Sequence, residues 1–295
     1  MKEFSGVWIL GEQRNQEVQT ITYELLTRGL DLAKQRQVPL SVILLGKTKK
    51  EDLEKVIRCG ADKIVNVTTK GLETFLPEPY TGTLEYLVNK YKPEIIIAGA
   101  TSTGRTLMPL LAVKCHSGLT ADCTQLEIEK DTGNLLQVRP AIGGNIMATI
   151  ITPNHRPQLA TVRPHSTPPA QEQVERKGEV IEETVDKSIL QSRVKILNFE
   201  KAKEDSANIQ EADVVVAGGR GLKKADNFAM ISKIAKLLNG AVGASRDAVD
   251  RGWVTYPHQV GLSGKTISPK LYICSGISGS IQHLAGIKTA ENIIA

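Results

Sequence analysis

Short runs of apolar, β-branched residues alternate with helix-like stretches in the first hundred residues, and this alternation constrains the fold most. Each run is as long as a buried strand, and between the runs apolar residues recur at three- and four-residue spacing. Such strand–helix–strand units predict a parallel sheet covered by helices. The predicted strands are Val7–Leu10, Leu40–Leu45, Lys63–Val67 and Glu94–Ala98, and the predicted helices include Gln19–Gln37, Lys50–Cys59 and Gly82–Tyr91.

The pattern changes beyond residue 120, where short strand-like segments follow one another directly. The residues that separate them, such as Asp131-Thr132-Gly133-Asn134 and Gly143-Gly144, are typical of hairpin turns. We therefore expect an antiparallel patch in the first domain. Its predicted strands are Thr124–Glu129, Leu135–Pro140, Ile146–Ile151 and Leu159–Arg163.

A change in composition near residue 200 divides the chain. Residues 164–187 are rich in proline and then in charge, and the strand-like Ser192–Phe199 ends a first domain of residues 1–200. The polar, weakly patterned Glu200–Gln210 predicts a linker. A second α/β domain then fills residues 210–295. Its predicted elements are the strand Asp213–Ala217, a helix from about Ala225 to Leu238, and the strands Ala241–Ala244, Lys270–Cys274 and Asn292–Ala295.

Composition narrows the range of functions. A chain of 295 residues, 41% apolar and 23% charged, is globular, and it has neither a signal peptide nor an apolar run of about 20 residues, so we expect a cytoplasmic protein with no membrane insertion. The four cysteines form no CxxC pair, which indicates neither a zinc site nor a disulfide framework. Only 4% of the residues are aromatic, which argues against base stacking, and the net charge of +5 is too diffuse to follow a phosphate backbone. We therefore expect no nucleic-acid binding.

Four segments of small, polar and basic residues follow the strands of the second domain. From Gln210 onward the chain contains ten Lys or Arg and six Asp or Glu, so this domain has a net positive charge. In an open parallel sheet, ligands bind at the carboxyl ends of the strands, so we expect these segments to form one site. Glycines allow close backbone approach to phosphate, and Arg246 and His283 add a charge and an imidazole. This set suits a large anionic cofactor with a polar ring, and no Ser-His-acid triad is recognisable. The segments are Gly218–Gly221, Gly243–Arg246, Gln259–Lys265 and Gly276–His283.

The same segments carry a family resemblance. In order along the chain stand GGRG from Gly218, GAVGASR from Gly240, QVGLSGK from Gln259 and GISGSIQHLAG from Gly276. With this series, Val214–Ala295 resembles the FAD-binding domain of electron transfer flavoprotein alpha subunits, the FixB family. A weaker resemblance extends through the first domain at Thr103-Gly104-Arg105, Gly118–Asp122, Arg139-Pro140, Gly144-Asn145 and Thr161–Pro164.

The resemblance implies two Rossmann-like domains and an FAD held between the second domain and a partner beta subunit. It implies that Arg246 lies against the isoalloxazine, Ser263 near the flavin N5 and His283 near the flavin O2. A positive charge or an N–H donor there would stabilise the negative charge of the reduced ring. Further cofactor-binding positions implied are Gln259, Gly261, Gly264, Ser278 and Gln282 at the ribityl chain and phosphates, Arg220, Ser245 and Lys265 in the same cleft, and Val260, Gly276, Gly279 and Ser280 beside them.

The implied function is that of an electron carrier rather than a stand-alone enzyme. It would exchange electrons with an acyl-CoA dehydrogenase or an NADH-linked dehydrogenase, and Gly261–Gly264 resembles proteins of anaerobes, some of them electron-bifurcating. Family members continue beyond the position of Ala295, so the second domain is expected to be truncated, with part of the cofactor cradle missing. Two alternatives stay open: a self-contained NAD(P)-dependent dehydrogenase, although no G-x-G-x-x-G follows the first strand, and a nucleotide-binding module without redox function.

Overall fold

The computed structural model describes residues 3–141, 146–198, 209–210 and 212–295. The chain divides into two compact units, residues 1–197 and 198–295. Gly143, Gly144 and Asn145 of the predicted motifs lie outside the described residues, as does most of the predicted linker Glu200–Gln210.

The first unit is built on a parallel sheet with helices on both faces. Its central strands are buried along their whole length, which explains why they are continuous apolar runs. The helices are α1 (Thr20–Arg36), α2 (Lys50–Arg58), α3 (Pro77–Tyr91) and α4 (Ser102–Lys114). The strands are β1 (Val7–Leu10), β2 (Gln13–Arg14), β3 (Glu17–Val18), β4 (Leu40–Leu45), β5 (Lys63–Val67), β6 (Ile95–Gly99), β7 (Leu119–Cys123), β8 (Gln125–Ile128), β9 (Leu135–Pro140), β10 (Met147–Ile150), β11 (Gln158–Val162) and β12 (Glu179–Glu183).

Seven of these strands form the main sheet, in the order β12-β5-β4-β1-β6-β11-β7, and every neighbouring pair is parallel. The side chains of β1 alternate between two cores: Val7 and Ile9 enter one and Trp8 and Leu10 the other. Both faces of β1 are therefore buried, so its sequence lacks the alternation of apolar and polar residues that is typical of a half-exposed strand. The parallel sheet predicted from the apolar runs is confirmed.

Helix α4 was not among the predicted helices, and its start is determined by local chemistry. The Thr101 hydroxyl accepts a hydrogen bond from the Gly104 N–H at 3.1 Å, which caps the helix. A Cβ at residue 104 would lie 1.9 Å from the Gly99 carbonyl oxygen, so only glycine permits this approach of the helix to β6.

The predicted antiparallel patch is confirmed for three strands, since β9 pairs antiparallel with both β8 and β10. The assignment of Leu159–Arg163 to the patch is wrong. Strand β11 covers this segment and lies between β6 and β7, parallel to both. All five of its residues are buried, which is the position of a central strand in a sheet covered on both faces.

Near the end of the first unit, one strand was not predicted and one predicted strand is wrong. Glu179–Glu183, within the charged stretch, forms the edge strand β12, and Lys63 lies 3.4 Å from Glu179 across the pair with β5. An edge strand exposes one flank, so it tolerates charges that a central strand would exclude. The predicted strand Ser192–Phe199 is not formed over its described part, residues 192–198, where Leu197 is 94% exposed.

The second unit has a four-stranded sheet, all parallel, in the order β14 (Ala241–Ala244), β13 (Val214–Gly218), β15 (Leu271–Ser275) and β16 (Asn292–Ile294). Strand β14 pairs with one side of β13, and β15 pairs with the other side. The loops that follow β13 and β15 therefore leave the sheet in opposite directions. A crevice at the carboxyl edge follows from this order. The helices of this unit are α5 (Phe228–Leu237), α6 (Arg246–Asp250) and α7 (Ile281–Leu284).

Candidate functional site

A cleft of about 770 Å³ lies in that crevice, which is within the usual size range of cofactor pockets. The loops after β13, β14 and β15 and the turn at 260–263 line it. Of the predicted cofactor-binding residues, eleven line the cleft: Arg220, Ser245, Arg246, Val260, Gly261, Ser263, Gly276, Ser278, Ser280, Gln282 and His283. Four predicted residues, Gln259, Gly264, Lys265 and Gly279, are not among the lining residues.

One wall of the cleft is a contact between two glycine-rich loops. The Gly221 N–H donates to the Gly276 carbonyl at 2.9 Å, and a Cβ at residue 221 would lie 2.6 Å from the Gly276 Cα. Gly276 has a φ of +66°, in the left-handed region that other residues rarely adopt. The two loops can therefore pack only as bare backbone.

The turn from Gln259 to Lys265 contains three of the four predicted residues that do not line the cleft: Gln259, Gly264 and Lys265. The Gln259 side-chain amide donates to the Ser263 hydroxyl at 3.0 Å, and its carbonyl accepts from the Lys265 N–H at 2.7 Å. A Cβ at residue 264 would lie 2.4 Å from the same carbonyl. These residues hold the turn closed and orient Ser263, whose hydroxyl hydrogen remains available to a ligand in the cleft.

The two arginines of the cleft pair with acidic residues that the sequence analysis did not include. Nε of Arg220 lies 3.3 Å from Asp247, and Nε of Arg246 lies 3.3 Å from Asp250. Both arginine side chains are about 70% exposed, and ion pairs at such positions contribute little stability. A bound anion can therefore compete for either guanidinium. The i, i+4 spacing of Arg246 and Asp250 was the available signal in the sequence.

His283 is the buried polar group of the cleft, with 6% of its surface exposed. Its Nε2 lies 2.8 Å from the Tyr272 hydroxyl, whereas Nδ1 is buried and has no hydrogen-bond partner of normal geometry among the described residues. Burial lowers the pKa of His283, and the Val260 peptide opposes this shift only in part. The ring is therefore neutral at neutral pH.

Three further observations delimit the site. A groove of about 710 Å³ in the first unit is lined by helix side chains such as Tyr86, Leu110 and Val113 rather than by strand-end loops. In the part of the chain that the structure describes, no three or more His, Cys, Asp or Glu residues are grouped as a metal site would require. No helix there combines the length and the apolar character needed to cross a membrane.

Comparison with known proteins identifies the cleft-bearing region. Residues 208–288 match the model of the electron transfer flavoprotein FAD-binding domain, and residues 7–188 match that of the electron transfer flavoprotein domain. The chain belongs to the electron transfer flavoprotein alpha-subunit family. Its cofactor is FAD, and the cleft fits that cofactor in volume and in the two exposed guanidinium groups among its lining residues. The family, the fold class and the cofactor expected from the motifs are thus confirmed.

Relatives resemble the chain over its whole length. The electron transfer flavoprotein subunit alpha of Thermoanaerobacterium thermosaccharolyticum is 43% identical, over 100% of this chain and 89% of that protein. Subunit LctC of the lactate dehydrogenase (NAD(+),ferredoxin) of Acetobacterium woodii is 38% identical, over 99% and 69%. The acryloyl-CoA reductase electron transfer subunit beta of Anaerotignum propionicum is 36% identical, over 100% and 88%.

Proposed function

We propose that the chain is the alpha subunit of a heterodimeric electron transfer flavoprotein, with FAD in the second unit's cleft and electrons passing between a dehydrogenase and an acceptor. The observation that carries the proposal is the convergence of Arg220, Arg246 and His283 on one cleft at the carboxyl edge of a parallel sheet. Bound FAD supplies the electron-accepting ring. The protein supplies charge, N–H donors and shelter from water.

The cleft divides into two chemical parts under this proposal. The Arg220 guanidinium suits the phosphates, because a delocalised, planar cation matches phosphate oxygens. Arg246, Ser263 and His283 would face the isoalloxazine, with Ser263 near N5 and His283 near O2. A cation and N–H donors at the ring oppose the charge that it gains on reduction. Gln259, Gly264 and Lys265 would act by holding the turn that positions Ser263.

A beta subunit would complete the cleft. Leu262, which lines it, is 74% exposed, and Ile281, which begins α7 next to the lining residues Ser280 and Gln282, is 76% exposed. Large apolar side chains at the edge of a polar cleft favour a protein partner there. We propose residues 210–295 as the FAD-binding domain and residues 1–200 as a nucleotide-binding-like domain that also contacts the beta subunit.

The electron donor is a dehydrogenase of the acyl-CoA or NADH-linked type in this proposal, and the protein works in the cytoplasm. Support comes from the names of two relatives, one a subunit of an NAD⁺- and ferredoxin-dependent lactate dehydrogenase and the other an electron transfer subunit of an acryloyl-CoA reductase. The first of these names also favours electron bifurcation. That finer assignment depends on which nucleotide the beta subunit binds.

The test is co-expression of the chain with its beta subunit, followed by visible absorption and nucleotide identification. We expect flavin absorption bands, about one FAD in the alpha cleft, and bleaching when a matching dehydrogenase and its substrate are added. A colourless complex that FAD cannot reconstitute would contradict the proposal. Substrate oxidation by the chain alone with NAD(P) would support the dehydrogenase alternative, and binding of a nucleotide without flavin would support a module with no redox function.

A further inference from the structure

Four motif segments of the first unit, which the flavin cleft does not use, converge on one place. Strands β6, β11 and β7 are neighbours in the parallel sheet, so the residues at their carboxyl ends share one edge. Arg105 lies near the start of α4, which follows β6, Asp122 lies at the end of β7, and Arg163 directly follows β11. Arg139 lies on β9, whose backbone accepts a hydrogen bond from the Thr124 N–H at 2.9 Å. The three arginines and the one carboxylate are named the Asp122 cluster.

Asp122 occupies an irregular position of β7. The register between β7 and β11 shifts between Ala160 and Val162, and Asp122 has a φ of +62°, which residues other than glycine uncommonly adopt. Its N–H donates to the Thr161 hydroxyl at 2.9 Å instead of continuing the strand ladder. Such bulges change the direction of a side chain and are frequent beside functional sites. The carboxylate therefore reaches Arg163 at the end of the neighbouring strand.

The Asp122 carboxylate contacts two of the three arginines. Arg163 donates from Nε and Nη2 to its two oxygens at 3.1 and 2.6 Å, and Nη2 of Arg105 lies 3.7 Å from it. Burial raises the pKa of Asp122, but the hydrogen bonds from Arg163 and the charges of Arg163, Arg105 and Arg139 outweigh burial, so the pKa is lower than usual. Asp122 is therefore ionised at neutral pH, and its single charge is used mainly by Arg163.

Two positive charges of the cluster remain without a counter-ion. In the part of the chain that the structure describes, no second carboxylate lies within 4.0 Å of the three guanidinium groups. Arg139 is partly buried, yet it forms no hydrogen bond or ion pair with a described residue, and Arg105 is 52% exposed. A carboxylate ligand would neutralise one of the two charges, whereas a phosphate dianion would neutralise both.

We propose that Arg105, Arg139 and Arg163 form an anion site in the first unit and that this site binds a phosphate group as the dianion. Its position at the carboxyl ends of parallel strands is the usual place for a ligand in such a sheet. Asp122 holds Arg163 in place, and Arg105 and Arg139 supply free N–H donors in the planar arrangement that matches phosphate oxygens. The site shares no residue with the FAD cleft, so it does not depend on the proposed function.

The test is calorimetric titration of the full-length chain with inorganic phosphate at pH 8, where the dianion predominates. The parent chain carries Arg220→Gln, which removes the phosphate ligand proposed for the second unit's cleft. Adding Arg139→Gln should weaken phosphate binding roughly ten- to hundredfold, as expected for lost hydrogen bonds between charged groups. A parent chain that binds no phosphate, or an Arg139→Gln variant with the affinity of the parent, would overturn the proposal.

Arg58→Gln is the matched control in the same unit. Arg58 ends α2, at the opposite edge of the sheet, and pairs with Glu172 at 2.8 Å. The variant loses the same charge as Arg139→Gln and should keep the phosphate affinity of the parent. Equal losses in the two variants would show that phosphate responds to net charge alone and would overturn the site. Thermal melting checks the folding of each variant, and Arg139→Gln should melt with the parent because it breaks no described bond.

Further titrations define the ligand chemistry. Acetate carries one charge and should bind roughly tenfold more weakly than phosphate or worse, and equal affinities would overturn the dianion assignment. Ribose 5-phosphate distinguishes two sources that both support the site: binding at least as tight as that of inorganic phosphate indicates a phosphate monoester, and weaker binding indicates the free ion. If the parent chain binds no phosphate and Arg139→Gln weakens association with the beta subunit, the cluster belongs to the subunit interface and the proposal is overturned.

Discussion

Gly219 lies against the carbonyl oxygen of Gly276 so closely that a Cβ at residue 219 would be 2.3 Å from that oxygen. The Gly219 N–H also donates to the Ser275 carbonyl at 3.0 Å, which holds the loop after β13 to the end of β15. The wall of the FAD cleft is therefore a direct contact between two backbones that are distant in sequence. A side chain at residue 219 has no space unless the loops separate.

Replacement of Gly219 by Ala should accordingly lower FAD affinity at least tenfold. It should also reduce the free energy of unfolding by about 1–3 kcal/mol, the usual cost of overpacking. Gly252→Ala is the control: residue 252 has a φ of +71°, and a Cβ there would have no atom within 4 Å, so the variant carries backbone strain without a clash. Calorimetric FAD titration and denaturant melts separate the two, and equal FAD affinity in both variants would contradict the prediction.

Replacement of Arg246 by Ala should lower the reduction potential of the bound flavin. A fixed positive charge beside the ring favours its reduced, more negative states, and the change should be on the order of 60 mV, a tenfold shift in a one-electron equilibrium. Lys should restore only part of the potential, because it lacks the planar guanidinium. Equilibrium reduction against a reference dye gives the potential.

Arg251 provides the matched control for Arg246. It pairs with Asp247 at 3.3 Å and lies over the Trp253 ring, and it is not among the residues that line the cleft. Arg251→Ala should leave the potential within experimental error. If Arg246→Ala also leaves it unchanged, Arg246 does not contact the ring.

Glu12 should make the stability of the first unit depend on pH. Burial raises the pKa of its carboxyl to about 7, although the Thr101 hydroxyl donates to it at 2.6 Å. The folded chain then holds a proton that the unfolded chain releases near pH 4.5, so stability is highest at low pH and decreases as pH rises to about 7. Glu12→Gln should remove this dependence and stabilise the chain at pH 8 by up to about 3 kcal/mol.

Glu17→Gln is the comparison for Glu12→Gln. Glu17 is exposed, and its hydrogen bond and ion pair with Lys49 lower its pKa, so its contribution has the opposite sign and is screened by water. Urea melts at pH 5.5, 7 and 8 report the slopes. A Glu12→Gln variant that keeps the wild-type slope would show that Glu12 is not the titrating group.

Replacement of Leu262 by Ser should weaken association with the beta subunit while the chain remains folded. An exposed leucine that a partner buries contributes about 1.5–3 kcal/mol of transfer free energy, equivalent to more than tenfold in affinity. Leu237→Ser at the end of α5 is matched in exposure, 77% against 74%, and does not line the cleft. Analytical ultracentrifugation of the two complexes should separate them, and equal dissociation constants would place the interface elsewhere.

The sequence predicted the fold best where burial determines the residue type. β1 and β4 are apolar along their whole length because both faces are covered, so their bounds were predicted correctly. β12 was missed because an edge strand can carry glutamates, and Val194 in the segment wrongly predicted as a strand is 58% exposed. The local pattern of residues indicates only which secondary structure a segment prefers. The insertion of β11 between β6 and β7 depends instead on pairing between residues far apart in sequence.

The sequence predicted which loops form the candidate site, but it did not predict the side-chain interactions within the site. Strand order places the ends of β13 and β15 together, so residues such as Arg220 and Ser278 could be assigned to one cleft from their positions after strands. The pairs Arg246–Asp250 and Tyr272–His283 could not, because each depends on side-chain direction and burial. Tyr272 in particular occurs within an apolar strand, where a tyrosine is indistinguishable from an ordinary core residue.

The Tyr272–His283 hydrogen bond has a consequence for how this family can vary. The two positions are eleven residues apart, and each satisfies a buried polar atom of the other. Loss of the hydroxyl alone would leave Nε2 without its hydrogen-bond partner, and loss of the imidazole alone would leave the phenol without one, at a cost of about 1–3 kcal/mol in either case. Related sequences should therefore covary at these positions, with the tyrosine and the histidine retained together or replaced together.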